Sequence, residues 1–367
     1  MNTQRLVDTF LKYVQIDSES GNELAMAKAV MADLAEIGCE VYMDSCGENF
    51  GSNAGNVYAT LKGDEDGEPI LFSAHMDTVK PGIGVKPVIK DGVIYSDGTT
   101  VLGGDDKSGI AAVIEALRTI KEEKLSHPTI EIVFSVCEEV GLLGSANLDY
   151  SRITAKKAAV LDSSGDAGKI ITSAPGQVKI DGYFIGKSAH AGIAPESGIS
   201  AIQIAAEAVS KMKLLRIDKE TTANIGTLSC EGATNIVAER VHFVAEARSL
   251  DREKLAAQTL HMTQCIDNAC KKFGGKFEGK VMELYQPYSK ADDDSFVQQI
   301  VAACEAVGLK AEIASTGGGS DANNMNQNGI SAVVLGTGMA NVHTVNEYIT
   351  IKNLEDTAKL CIQLAQM

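Results

Sequence analysis

Four short apolar runs in this chain each lead into a carboxylate or an imidazole, and few folds accommodate all four. Residues 70–75 (ILFSAH), 129–136 (TIEIVFSV), 158–161 (AAVL) and 331–335 (SAVVL) are long enough for buried strands and too short for helices. They deliver His75-x-Asp77, the pair Glu138-Glu139, Asp162, and His343 followed by Glu347. Helical periodicity lies between them. After 101–109 (VLGGDDKSG), Ile110, Val113, Ile114 and Leu117 share a face, which puts Asp105 and Asp106 at or just before a helix N-terminus. Singly, each feature has an ordinary explanation: a chance triplet, an N-cap, a solvated acidic pair. Jointly they describe strands whose carboxyl ends meet at one sheet edge, where α/β folds place their ligand sites.

The expected fold class is therefore α/β, a mixed, mostly parallel sheet flanked by helices. At 367 residues the chain is long for one core. From about Gly176 to Pro287 the texture changes. Residues 177–185 alternate like an exposed edge strand, 222–228 and 241–247 alternate too, and 199–212 and 251–273 read as amphipathic helices. That order is a ferredoxin-like α+β insertion. The expected division is 1–175 and 288–367 for a catalytic domain, with 176–287 as an inserted lid or dimerisation domain. Its alternating edge strands suit pairing with another copy, so a homodimer is expected.

The charge balance, 33 − 49 = −16, argues against a nucleic-acid or anionic-membrane partner, both of which need a basic face. No apolar stretch reaches bilayer-spanning length, and the opening residues lack the pattern of a secretion signal. The eight cysteines include no Cys-x-x-Cys pair, so neither a disulfide framework nor a thiolate zinc site is indicated. A cytoplasmic protein is expected.

His75, Asp105, Glu139, Asp162 and His343 form an imidazole and carboxylate set without sulfur. Such a set suits zinc, or cobalt or manganese, in a catalytic site with open positions. Five ligands with one shared carboxylate have the composition of a two-metal centre, and water between two such ions is acidic enough to attack near neutral pH. Asp77, two residues along the strand, can accept a ring proton from His75 and leave the other nitrogen for metal. Glu138 remains to take a proton from water and pass it to a leaving amine. The stretch around Gly186-Lys187-Ser188 falls one residue short of a phosphate loop, and Ser320 lacks nucleophile-elbow spacing.

HMDTV, GGDDKSG, EEVGLLGS, LDSSG, KSAHAG and HTVNE, in this order over nearly the whole chain, resemble the dinuclear-zinc peptidases that include carboxypeptidase G, aminoacylase and peptidase T. With GGGSDAN at 317–323, the similarity is greatest to the peptidase T branch. The resemblance implies two zinc ions per chain, His75, Asp105 and Asp162 on one and Asp105, Glu139 and His343 on the other. It further implies Glu138 as base, Asp77 orienting His75, and a cis peptide bond between Asp105 and Asp106. His190 would reach a neighbouring subunit's site to donate to the oxyanion, and Asn235, Arg248, Gly318 and Gly319 would contact substrate. The implied activity is cleavage of short peptides from the amino end. An N-acyl amino acid amidohydrolase or a carboxypeptidase shares the machinery, and a metal-free binding or regulatory protein is the reading from another class. The chain is shorter than typical peptidase T, so its recognition of substrate termini is open.

Overall fold

The computed structural model describes residues 1–367. The chain divides into two compact units: Met1–Ser173 with Ser289–Thr316 and Ser320–Met367, and Ala174–Tyr288 with Gly317–Gly319. The short glycine segment thus clusters with the second unit rather than with the flanking chain.

In the first unit, the strands Ile130–Ser135, Ile70–His75, Lys157–Ser163 and Ser331–Gly336 are adjacent in that order within a nine-stranded mixed sheet. All three ladders between them are parallel. Their carboxyl ends therefore lie at one edge, as the sequence pattern requires. The first two are buried at every position, polar Glu131 and Ser135 included. Phe72 and Phe134, almost fully buried, each contribute on the order of 2 kcal/mol by leaving water. Glu40–Met43 and Val57–Leu61 extend one side of the sheet antiparallel.

The helix Gly104–Glu123 is buried over nearly all of its length among the apolar side chains of the first core. Asp105 and Asp106 interrupt its first turn with non-helical backbone, and the peptide bond joining them is cis. Four further helices, Thr3–Val14, Leu24–Ile37, Ser295–Ala306 and Ile351–Leu364, contribute to the same core.

The second unit is β-α-β-β-α-β in order: Gly176–Ile185, Ala201–Lys211, Thr221–Ser229, Arg240–Ser249, Arg252–Phe273 and Lys276–Tyr285. Its sheet is antiparallel throughout. Phe184 meets the rings of Phe243 and Phe277 at 5.5 and 5.1 Å. The fold class read from sequence is the one observed, with one correction. Gly176–Ile185 is an interior strand, paired on one side with Arg240–Ser249 and on the other with Lys276–Tyr285. Its alternation reports burial of one face, which central and edge strands of an open sheet share. All eight cysteines are unpaired and all but Cys230 are buried. No helix is long and apolar enough to cross a membrane.

Gly109 lets the helix bearing Asp105 approach the strand bearing Asp162. A Cβ there would stand 2.6 Å from the Leu161 carbonyl oxygen and 2.7 Å from Asp106 Oδ1. Gly109→Ala is expected to lower the unfolding free energy by about 1–3 kcal/mol, read from the urea midpoint.

Candidate metal centre

His75 ends its strand with the ring buried. Its Nε2 lies 3.0 Å from Asp105 Oδ1 and 3.7 Å from Asp162 Oδ1. Asp105 turns its other oxygen, Oδ2, to His343 Nε2 at 3.2 Å, and that nitrogen is 3.1 Å from Glu139 Oε1. One carboxylate thus faces both imidazoles, one oxygen to each. The potential ligand atoms of His75, Asp105 and Asp162 lie within 4.8 Å of one another, as do those of Asp105, Glu139 and His343. A third group at the same spacing joins His75, Glu138 and Glu139. The five side chains chosen from sequence as ligands come together.

Two of these groups sit on unusual backbone. His343 has φ of 64° and Cys137, just before Glu138, has φ of 52°, both in the left-handed region that non-glycine residues seldom occupy.

Around them runs a layer of carboxyl groups held by backbone amides. Asp77 accepts from Ser20 Oγ at 2.7 Å, from Glu138 N at 3.0 Å and from Glu139 N at 3.2 Å. The hydrogen-bond partner of His75 Nδ1 is the Asp77 carbonyl oxygen at 2.9 Å, with the Asp77 carboxylate at 3.4 Å. Asp77 thus faces His75 with both its main-chain oxygen and its carboxylate, and the carboxylate also braces the Glu138-Glu139 turn. Asp106 accepts from His75 N at 3.2 Å and from Gly109 N at 3.3 Å. Glu347 accepts from Leu102 N, Gly103 N and Asp105 N at 2.8, 2.8 and 2.9 Å. Asp321 accepts from Ser135 Oγ at the end of the adjacent strand. The sequence assigns no role to Asp106, Glu347 or Asp321. Glu347 is part of HTVNE, but nothing in a residue string marks a carboxylate as an amide acceptor.

Electrostatics follow from this crowding. Burial pushes Asp162 up to about 7, opposed by His75 and reinforced by Asp105 and Glu139. Burial, then Asp162, pushes Glu138 well above the carboxylate range. Asp105 goes the other way: burial would raise it, but His343 and His75 hold it low. Asp105 and Glu139 raise His343 to about 10. Glu347 is pushed up to about 7, mainly by burial.

The donor set fits divalent cations. Glu139 Oε1 is buried and has no hydrogen-bond partner, and its near neighbour is His343 Nε2 at 3.1 Å. Clustered carboxylates with imidazoles and no thiolate match the preferences of zinc, cobalt and manganese.

The remaining sequence-chosen residues belong to the second unit. His190 is exposed and accepts from Gly192 N at 3.2 Å through Nδ1. The Asn235 carbonyl accepts from Ala191 N at 2.8 Å, which ties the two segments together. Arg248 pairs with Glu246 through two contacts of 3.1 Å. Gly318 and Gly319 lie in the glycine segment, and a Cβ on Gly319 would fall 2.3 Å from the Tyr285 ring, so the ring uses the space that glycine leaves.

A mixed α/β fold whose parallel strands bring two overlapping groups of potential metal ligands, sharing Asp105, to one sheet edge is the class these features define. The model of Peptidase family M20/M25/M40 matches residues 71–367, and the chain belongs to that family. Uncharacterized protein YqjE of Bacillus subtilis (strain 168) is 44% identical over 366 residues, covering 100% of this chain and 99% of that protein. The crystal structure of aminopeptidase PepT from Bacillus cereus ATCC 10987 is similar with a TM-score of 0.91 at 45% identity, covering 100% of this chain and 98% of that one. A tripeptidase structure from Staphylococcus aureus subsp. aureus Mu50 gives a TM-score of 0.94 at 40% identity with the same coverage.

Glu347→Ala would leave three amide N–H groups at Leu102, Gly103 and Asp105 without their acceptor. Loss of about 3 kcal/mol is expected, measured by urea unfolding of the metal-free protein.

Proposed function

We propose that this chain is a zinc-dependent metallopeptidase that removes residues from the amino end of short peptides, tripeptides among them. The observation that carries this reading is the Asp105 carboxylate, with one oxygen toward His75 and the other toward His343. The similarity to an aminopeptidase and a tripeptidase at 45% and 40% identity supports the substrate class.

In this reading His75, Asp105 and Asp162 hold one cation, and Asp105, Glu139 and His343 hold a second. Zinc is favoured, and cobalt or manganese suits the same donors. Bound there, the pair would lower the pKa of water and polarise the scissile carbonyl. His75, with its proton on Nδ1 toward the Asp77 carbonyl, presents the Nε2 lone pair. Glu138 takes the proton of the attacking water and delivers it to the leaving amine nitrogen. Beside two cations its carboxyl group would ionise easily, which suits a base in the resting state. The fixed turn at 137–139 keeps its carboxyl group at one place through both transfers.

The second unit serves in this proposal as lid and dimerisation surface in a cytoplasmic homodimer. Ile193, Ile202 and Ile236, 77, 51 and 51% exposed, support a surface covered by another copy. Exposed His190 would donate to the oxyanion in the partner's site. Asn235 and Arg248 would bind substrate backbone and carboxylate, and Gly318 and Gly319 would let backbone approach it.

Glu138→Ala is expected to lower kcat by at least about a thousandfold while the zinc bound per chain stays at two, measured by atomic absorption. Retained turnover would remove Glu138 from the base role. Zinc-loaded protein assayed on alanine di-, tri- and tetrapeptides with blocked amino or carboxyl ends tests specificity. Cleavage of free-amino substrates alone is expected. Hydrolysis of substrates with an acylated amine would instead select the acylase or carboxypeptidase reading.

A further inference from the structure

Glu23 occupies a position where its side chain has an ordinary use and does not perform it. It is the N-cap residue of Leu24–Ile37, yet its side chain makes no capping bond. Asn53 does that work, with Oδ1 accepting from Leu24 N at 2.9 Å. The Glu23 carboxyl group is fully buried and reaches a residue 114 positions away. Its Oε1 accepts from Cys137 N at 3.1 Å, from Cys137 Sγ at 3.2 Å and from Gly21 N at 2.8 Å, while Oε2 accepts from Ser52 Oγ at 2.7 Å.

The target is the left-handed residue that begins the 137–139 turn. Three consecutive amides, those of Cys137, Glu138 and Glu139, thus donate to two buried carboxyl groups, Glu23 for the first and Asp77 for the others. Both acceptors are tied by the same short loop: Ser20 Oγ donates to Asp77, and Gly21 N donates to Glu23. The loop is itself anchored at the site's strand, with Ser18 Oγ donating to the Met76 carbonyl at 2.8 Å and Thr78 N to the Ser18 carbonyl at 3.0 Å. A non-glycine residue in the left-handed region relaxes unless its surroundings hold it. Relaxation at Cys137 would rotate the chain bearing Glu138.

We propose that Glu23 is a positioning residue for this turn: through its bond to Cys137 N it sets where the Glu138 carboxyl group stands. The inference rests on Glu138 being the base, but the bracing itself has a readout that does not depend on turnover. Displacement of a catalytic group by about 1 Å costs on the order of a hundredfold, and loss of a supporting residue around a site costs about 10–100-fold.

The test compares Glu23→Gln, which keeps an accepting oxygen at full length, with Glu23→Asp, which withdraws it by one methylene. Zinc-loaded Glu23→Gln is expected within about threefold of the parent protein. Glu23→Asp is expected to lose about tenfold or more in kcat with KM within twofold and bound zinc unchanged. Amide hydrogen exchange across 134–142, followed by mass spectrometry, should accelerate in Glu23→Asp and not in Glu23→Gln. Should Glu23→Asp fail to fold, Ser52→Ala frees the other oxygen of the carboxyl group, with the same local acceleration and about a threefold loss of kcat expected. Unchanged exchange at 134–142 in the folded variants overturns the proposal, as does a loss of bound zinc that parallels the loss of kcat. If Glu138→Ala keeps its activity, the base assignment fails while the exchange result still decides the role of Glu23.

Discussion

Negative charge gathered at the carboxyl ends of four parallel strands is the constraint on which the first unit is built. Buried carboxylates are tolerated only when donors or cations compensate them. The carboxyl groups here fall into two sets by that criterion. Asp77, Asp106 and Glu347 are each met by backbone amides. Asp162 and Glu139 receive no backbone amide, and one Glu139 oxygen is buried without a hydrogen-bond partner. The first set is complete within the protein. The second is left for something positively charged.

This separation explains how a centre can be rigid before it binds anything. Glu347 accepts from the amides of Leu102, Gly103 and Asp105, and so holds the main chain from which the Asp105 carboxylate extends. Asp106 ties the helix turn to His75 N, in the neighbouring strand. Side chains that face the centre thus inherit their positions from amide bonds one layer out, which is how preorganised sites limit reorganisation during reaction. Lys107, also fully buried, donates to the Ile16 carbonyl at 2.8 Å and links the same segment to the loop that carries Ser20 and Glu23.

The two sets were unequally legible in the sequence. Side chains facing the centre stand at ends of apolar strands, and strand periodicity shows where a chain must emerge from a sheet; His75, Glu139 and Asp162 are readable for that reason. His343 follows its strand by several residues, and the string HTVNE is what marks it. The outer layer obeys no period. Glu23 looks like a helix cap, Asp106 like the neighbour of a ligand, and Glu347 like a surface acid after a turn. What distinguishes them is an amide remote in the chain, a property of the folded backbone. The interior placement of Gly176–Ile185 was hidden for a related reason, since alternation encodes which faces are covered and not how many strands flank the ladder.

Glycine shows the same limit from the other side. In GGGSDAN the run reads as backbone that a ligand can approach, yet at Gly319 the nearest neighbour is the Tyr285 ring, which would overlap a Cβ. At Gly109 it is the Leu161 carbonyl of the strand that carries Asp162. Both glycines are demanded by packing, and the second controls the helix-to-strand spacing that brings Asp105 and Asp162 to the same imidazole. The spacing of the constellation is therefore set by atoms that never touch it. A change of one methyl group at the helix would separate carboxylates that a sequence comparison would still score as intact.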